Sequence, residues 1–483
     1  LYPGPEQYSG DVITFDITPR NVGAINPYQI AVRIDHLHPT GPAVVAQGTV
    51  GFPAFDGVPR ARLAWAWDTA GLEGEQTLVI RLDPDDRIQD GDEDPANNVV
   101  TTTVPLLPAA ARSPDELSAA WAVTRTACCV LHYLTSSAAE RDLPAISATA
   151  EAATAHVQDQ LRTRLPQPFE VYLIGRVIGH GGYAIDELAV SYLDRHYAAD
   201  DLEIVIRHEA VHALDAAALT EWSPALVREG LAVWASGGHF KPEPLPQRAA
   251  ALVQSQRYIP LQELANDFYR QQHEIGYLEG GAFVAYLVET HGWDAFMRFY
   301  TAFDSSYDTP AEILDAALQD STGQGLAETE TAFLAWLEAH PPSPRQARDL
   351  ELTIYLFDSI RLYQQVYDPR AYFLSGWLPD PAEAASRGIS ADFLRRPRAA
   401  ENVALETMLI AAWEALRAGR FTEAEALLDA LNRALESGSF DEGLAADYLA
   451  IAQAIAAGGR EAQRITLTGD AAHVQTSAAA GPE

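Results

Sequence analysis

The hydrophobic residues change their period near residue 107, and this change requires more than one kind of layer in the fold. Up to about residue 106 the runs "DVITFDITPRNVG", "QIAVRIDHL", "ARLAWAWDT", "QTLVIRLDP" and "NNVVTTTVPLL" alternate apolar with polar between Gly, Pro, Asn and Asp. A period of two buries one face of each run, and the spacing and length predict an immunoglobulin-like β-sandwich over residues 1–108. "LPAAARSPDELSAAW" reads as a linker, and from about 117 the pattern turns to mixed α and β. The apolar run "ACCVLHYL", the helical "AISATAEAATAHVQDQLRTRL" and the strands "FEVYLIG" and "ELAVSYLD" belong to an α+β domain over 117–345. From 346 the chain is mostly helical: "ENVALETMLIAAWEALRAGRFTEAEALLDALNRAL" predicts two helices around a glycine turn, and "DEGLAADYLAIAQAIAAGG" a third. The last residues, "RITLTGDAAHVQTSAAAGPE", alternate briefly and then trail into small residues expected to be disordered. A chain of 483 residues exceeds one hydrophobic core, so the expected fold class is multidomain: an all-β sandwich, an α+β domain and an α-helical C-terminal region over 346–483.

Charge narrows the partners. With 33 basic against 67 acidic side chains and a net charge of −34, the surface would repel nucleic acid and anionic lipid. No apolar run reaches the roughly 18–20 residues of a membrane helix, so no membrane span is expected. Cys128 and Cys129 are the two cysteines, and as neighbours they suit neither one shared metal nor an unstrained disulfide ring; plain core packing is expected. The chain opens on "LYPGPEQYSGDVITF", without a charged n-region or an apolar h-region, which fits either a cytosolic protein or a processed sequence. No feature sets an oligomeric state.

The stretch "DITPRNVG", followed later by "RLDPDDRIQDGDEDPANNVV", resembles the bacterial cell-adhesion-related sandwich domain, whose members are extracellular modules. The resemblance covers about the first fifth of the chain and implies an extracellular or cell-surface location. Its acidic hairpin carries Asp83, Asp85, Asp86, Asp90, Asp92, Glu93 and Asp94. So many oxygens offer a Ca2+ site over 83–94, although Ile88 breaks the EF-hand pattern. The alternative is a solvated turn whose Asp and Asn side chains cap their own backbone.

The stretch "RHEAVHALD", residues 207–215, carries the chemistry. Asp200 with Glu203 reads as a capping-box-like start for a helix from 201 to about 217. On it His208 and His212, four apart, share one face and can reach one ion. Glu209 beside them is the general base of the H-E-x-x-H arrangement, taking a proton from the attacking water and handing it to the leaving amine. A catalytic zinc has three protein ligands, and "EWSPALVREGLAVWASGG" supplies the third: Ser223 as N-cap, Pro224 at the first helical position, Gly237 as the stop, and Glu229 midway along an apolar helix. Asp215, one turn after His212, either orients a ligand histidine or is an ordinary helix-end carboxylate. His180, His239 and His273 have no ligand spacing.

"HEAVH" followed by "REGLAVW" resembles the gluzincin metallopeptidases, specifically the peptidase-MA-like group related to thermolysin and the zinc aminopeptidases. "EIGYLEGGAFVAYLVETHGWDAFMRFY" is similar to the next helix of that clan, where Tyr-x-x-Gly places a tyrosine over the zinc; the resemblance spans roughly 117–340 and gives Tyr277, with Gly280, the oxyanion role. It implies one catalytic Zn2+ and a peptide or protein substrate. The Gly-x-Met-Glu-Asn segment of the aminopeptidases is missing, since the comparable loop reads "GHGGYAIDELAVSYLD". Asp186 or Glu187 would have to replace its glutamate, or residues 181–192 would offer a sheet edge to an extended peptide, which favours an endopeptidase. Two rival readings are a surface adhesion protein with an inactive metallopeptidase-like scaffold, and a zinc hydrolase of a non-peptide bond.

Overall fold

The computed structural model describes residues 1–483 except 21–25, 52–56, 89–91, 93, 185–186, 199–200, 220–221, 304–308, 442, 469–470 and 477–483. They form two compact units: one of residues 1–121, 134–137 and 374–397, the other of 122–133, 138–373 and 398–483.

The first unit is built from strands β1 (Gln7–Tyr8), β2 (Val12–Ile17), β3 (Ala31–His38), β4 (Gly41–Thr49), β5 (Ala61–Asp68), β6 (Gly74–Leu82) and β7 (Val99–Leu107). One sheet runs β1-β7-β6-β3-β4 and a second pairs β2 with β5. Ile13, Phe15, Ile34, Leu63, Trp67, Leu78 and Val104, one inward position after another, give the two sheets a common core. All five alternating runs of the sequence are strands. β4 was hidden because "GPAVVAQGT" reads as turn residues; Gly48 is needed there since a Cβ would lie 2.3 Å from Leu63 Cδ2 of β5. The linker contains the short helix α1 (Pro114–Ser118), capped by Ser113.

Residues 374–397, which lie inside the stretch read from sequence as the helical C-terminal region, pack in this β unit. They carry α12 (Pro381–Arg387) and α13 (Ala391–Leu394). Asp392 accepts the Trp65 indole N–H at 2.9 Å, the Arg387 guanidinium lies 4.9 Å over the Trp65 ring, and Ile389 O accepts the Trp121 indole N–H at 2.8 Å. Arg395, 3% exposed, bridges Asp11 at 2.7 Å and Glu116 at 2.7 Å.

The second unit holds a sheet in the order β11-β12-β10-β9-β8, with strands β8 (Trp121–Arg125), β9 (Cys129–Leu134), β10 (Phe169–Ile174), β11 (Gly182–Ala184) and β12 (Leu188–Ser191). β9, β10 and β12 are parallel, and β11 runs antiparallel at the edge. α2 (Ala138–Gln160) crosses between β9 and β10, beginning two turns earlier than its pattern suggests and running through Pro144. Then follow α3 (Leu202–Ala218), α4 (Ala225–Ser236), α5 (Leu245–Gln254), α6 (Leu261–Asn266), α7 (His273–His291), α8 (Trp293–Tyr300), α9 (Pro310–Thr322), α10 (Leu326–Glu338) and α11 (Pro344–Tyr367). The predicted trio of C-terminal helices is α14 (Ala400–Arg417), α15 (Phe421–Ser437) and α16 (Leu444–Ala457), followed by a hairpin of β13 (Ala462–Thr468) and β14 (Ala471–Thr476). No helix among the described residues is long and apolar enough to cross a membrane.

One expectation is overturned here: Cys128 and Cys129 are joined as a disulfide rather than packed as free thiols. Cys129 opens β9 while Cys128 lies just before it, so the strand alternation that argued against pairing does not govern both residues.

Candidate metal centre

α3 begins one residue later than the sequence suggested. Its N-cap is Asp201, whose side chain accepts from Glu203 N at 3.1 Å; Asp200 lies outside the described residues. The β-branched "IVI" stays helical because Ile204, Val205 and Ile206 are all buried, so packing outweighs their weak helix preference. α4 is likewise capped at Pro224 instead of Ser223, whose hydroxyl is taken by Tyr300 Oη at 3.3 Å. Gly237 ends α4 in the left-handed region as expected, at φ 80°.

These two helices bring His208, His212 and Glu229 together. His208 Nε2 lies 3.2 Å from His212 Nε2 and 3.2 Å from Glu229 Oε2, and His212 Nε2 lies 3.3 Å from the same oxygen. The triangle is nearly equilateral. Ligands about 2.0–2.1 Å from a tetrahedral zinc stand about 3.3 Å apart, so the three atoms fit a zinc without rearrangement. Among the described residues this is the one group of His, Cys, Asp and Glu whose ligand atoms converge so closely.

Burial alone would raise the Glu229 carboxyl, but the His212 and His208 imidazoles outweigh it and hold the group well below its ordinary value. Its other oxygen accepts Tyr269 Oη at 2.6 Å, and Tyr269 in turn accepts from Arg228 Nη2 at 2.7 Å. This pair orients the carboxylate, and sequence reasoning missed it: Arg228 was an adjacent helical residue, and Tyr269 lies in a short 3-10 turn far from both motifs. Asp215 is not hydrogen-bonded to a ligand histidine among the described residues. It accepts Tyr300 Oη at 2.9 Å, and burial raises its carboxyl to about 6.

Glu209 is 7% exposed, and its Oε2 is buried without a hydrogen-bond partner among the described residues. Burial pushes its carboxyl up to about 7, with His208 pulling it down and Glu229 pushing it further up. The side chain lies against the edge strand: a Cβ built on Gly182 of β11 would stand 2.9 Å from Glu209 Oε1 and 2.7 Å from Val205 Cγ1. Gly182 therefore lets that edge come up to the carboxylate.

Tyr277 sits one turn into α7, with its ring 5.9 Å from that of His208. The helix is drawn in by glycines: a Cβ on Gly230 of α4 would lie 2.5 Å from Gly280 O, and one on Gly280 would lie 2.9 Å from Leu226 O. Only bare backbone permits that approach, which gives the glycine of Tyr-x-x-Gly a packing reason. His239, whose ring stacks nearly parallel on that of Tyr277 at 4.3 Å, has its Nδ1 2.9 Å from Glu274 Oε2, and the His273 ring lies 4.3 Å from that of Tyr277. Two of the three histidines without ligand spacing, His239 and His273, thus pack against the tyrosine, and His180 stacks on His273, although none joins the triad.

A cavity of about 480 Å³ opens beside His212, lined by Ala213, Ala216, Ala217, Leu188 and Phe169 among others. The small residues on this face of α3 leave the space. Glu187 also borders it, whereas Asp186 lies outside the described residues.

In the acidic hairpin, Asp83, Asp92 and Asp94 spend their carboxylates on the hairpin itself. Asp83 Oδ2 accepts from Ile88 N at 2.8 Å, Asp92 from Asp94 N at 3.2 Å and from Asn98 Nδ2 at 2.7 Å, and Asp94 from Ala96 N at 3.2 Å. Asp90 and Glu93, part of the expected Ca2+ site, lie outside the described residues.

No family model matches the chain, and no curated protein matches it.

Proposed function

We propose that the protein is a zinc-dependent metallopeptidase of the gluzincin type, acting outside the cytoplasm on peptide or protein substrates, with an immunoglobulin-like sandwich of the cell-adhesion-related kind at its N-terminus. The near-equilateral triangle of His208, His212 and Glu229 carries this reading. When bound, zinc supplies a Lewis acid that polarises the peptide carbonyl and makes water a nucleophile at neutral pH. Glu209, with an oxygen committed to no other described group, takes the proton of the attacking water and passes it to the leaving nitrogen. Burial raises its carboxyl in the metal-free protein, and a zinc ion beside it would act in the opposite direction. Tyr277 donates to the carbonyl oxygen as charge develops there. The edge strand β11 receives the peptide backbone, which favours internal cleavage, and the cavity beside His212 receives a side chain.

The test is zinc per chain, measured by elemental analysis on protein purified without chelator or added metal and compared with Glu229→Ala. About one zinc per chain is expected, with affinity at least about 100-fold weaker in the variant, since even outer partners of metal ligands are worth 10–100-fold. A parent protein that takes up no zinc on reconstitution overturns the proposal.

A further inference from the structure

With two carboxylates for every basic side chain, a buried cation in this protein ordinarily has an acid beside it. Arg195 has Glu406 and Glu461, and Arg248 has Glu243, Glu274 and Asp349. Arg361 of α11 differs: among the described residues no acid is in ion-pair contact with it, and Asp358, one turn earlier, acts on it only as a nearby opposing charge. The Arg361 Nη1 donates to Gln271 O at 3.2 Å, while Nε and Nη2 are buried with no hydrogen-bond partner among the described residues. Asp358 has its Oδ1 engaged by Gln272 Nε2 at 3.1 Å.

Rings surround the guanidinium. Phe373 lies 5.6 Å from it, and the Phe373 ring is 4.7 Å from His273 and 5.5 Å from His180. His273 stacks on His180 at 4.0 Å and reaches Tyr277 at 4.3 Å, which connects the group to His208. His180 is 6% exposed, and neither of its ring nitrogens has a hydrogen-bond partner among the described residues. Its loop is pinned to α11 by Gln364 Nε2, which donates to Gly179 O at 2.7 Å.

Isolated buried cations and orphaned imidazole nitrogens are both costly. Burial lowers the Arg361 guanidinium from its ordinary value and holds His180 and His273 well below theirs, so the arginine supplies the positive charge of this group. An anion with two oxygens would answer both guanidinium donors at once, and a planar fork of N–H groups matches a carboxylate. Neutral imidazoles can each add an N–H. The N-terminal end of the 19-residue α7, beside Gln271, adds a favourable field for negative charge.

We infer that Arg361, with His180 and His273, forms a carboxylate-recognition site next to the metal triad, selecting substrates that carry an acidic side chain or a free C-terminus near the bond cleaved. The word substrate rests on the hydrolase reading; the carboxylate site does not.

The test uses metal-free full-length protein and three probes in calorimetric titration: N-acetyl-Ala-Ala with a free C-terminus, N-acetyl-Glu-amide, and the neutral N-acetyl-Gln-amide. One of the two acids binds about tenfold or more tightly than the neutral probe, the scale of a charge-assisted hydrogen bond, and which one does so identifies the carboxylate source. Arg361→Gln removes the difference, while Arg361→Lys keeps part of it. Arg361→Gln also leaves the melting temperature unchanged or raised, because a buried charge without an ion-pair contact is gone, whereas a purely structural arginine would lower it. Equal binding of all three probes by the parent, or a preference that survives Arg361→Gln, overturns the inference. Carboxylate binding without cleavage of any peptide by zinc-loaded protein sinks the hydrolase reading and leaves the site standing. Cleavage without carboxylate preference does the reverse.

Discussion

Glu229 and Glu406 are both buried carboxylates on helices, yet their surroundings are of opposite kinds. Glu406 of α14 is met by donors: Arg195 Nε on one oxygen, and Tyr363 Oη at 2.5 Å on the other. Glu229 is met on one side by a donor, Tyr269, and on the other by two imidazole nitrogens that also approach each other to 3.2 Å. The first arrangement is closed, with charge and hydrogen bonds answered inside the protein. The second gathers three atoms able to ligate one cation. Convergence of ligand atoms, rather than the number of acids, is what singles out His208, His212 and Glu229 as the candidate centre among the described residues.

Three experiments probe that contrast, the largest effect first. Glu209→Gln should lower peptide turnover by about 10³-fold while zinc per chain stays near that of the parent, because the substitution removes a base and no ligand. Turnover within a few-fold of the parent would remove Glu209 from its role. Glu406→Gln breaks the closed arrangement and should cost about 3 kcal/mol of unfolding free energy in urea, since Arg195 loses its buried counter-charge. If the loss is near zero, Glu461 alone compensates Arg195 and the arrangement is not closed at Glu406. Asp215 gives the smallest effect and a pH signature. Its carboxyl titrates near 6 in the fold against an unfolded value near 3.9, so the folded protein binds the proton more tightly. That stability is fully present below about pH 4 and is lost as pH rises through 6, on the order of 2 kcal/mol. Metal-free Asp215→Asn should flatten this part of the stability profile in urea melts at pH 4.5, 5.5 and 7; an unchanged slope would assign it to another group.

The parts of the site that are close in sequence were legible: His208, Glu209 and His212 follow from helical spacing, and Glu229 from an acid inside an apolar helix. The helix starts were misplaced by one residue: Asp201 accepts from Glu203 N, and the Ser223 hydroxyl is engaged by Tyr300, so α4 has Pro224 at its N-cap position without a side-chain cap, and local sequence does not decide either outcome. Tyr269, His239 and Arg361 were not legible at all. Each comes from a different helix or loop, and their meeting depends on how closely α4, α7 and α11 pack, which glycines such as Gly230 and Gly280 decide by backbone contact. In the β unit alternation located five strands, but β4 carries turn-like residues, and nothing local in 374–397 announces a partner hundreds of positions earlier.

That return of the chain has a practical consequence. The β unit is closed by residues on both sides of the other unit, so a fragment ending at residue 108 would leave the Trp65 indole without its acceptor Asp392, and Asp11 without Arg395. A stand-alone β unit cannot be cut from the N-terminus by sequence boundaries alone. It would have to be rebuilt by splicing 374–397 back to it through an engineered connection, and a protease nick between 345 and 373 would leave the 374–397 segment held to the rest of that unit only by noncovalent contacts.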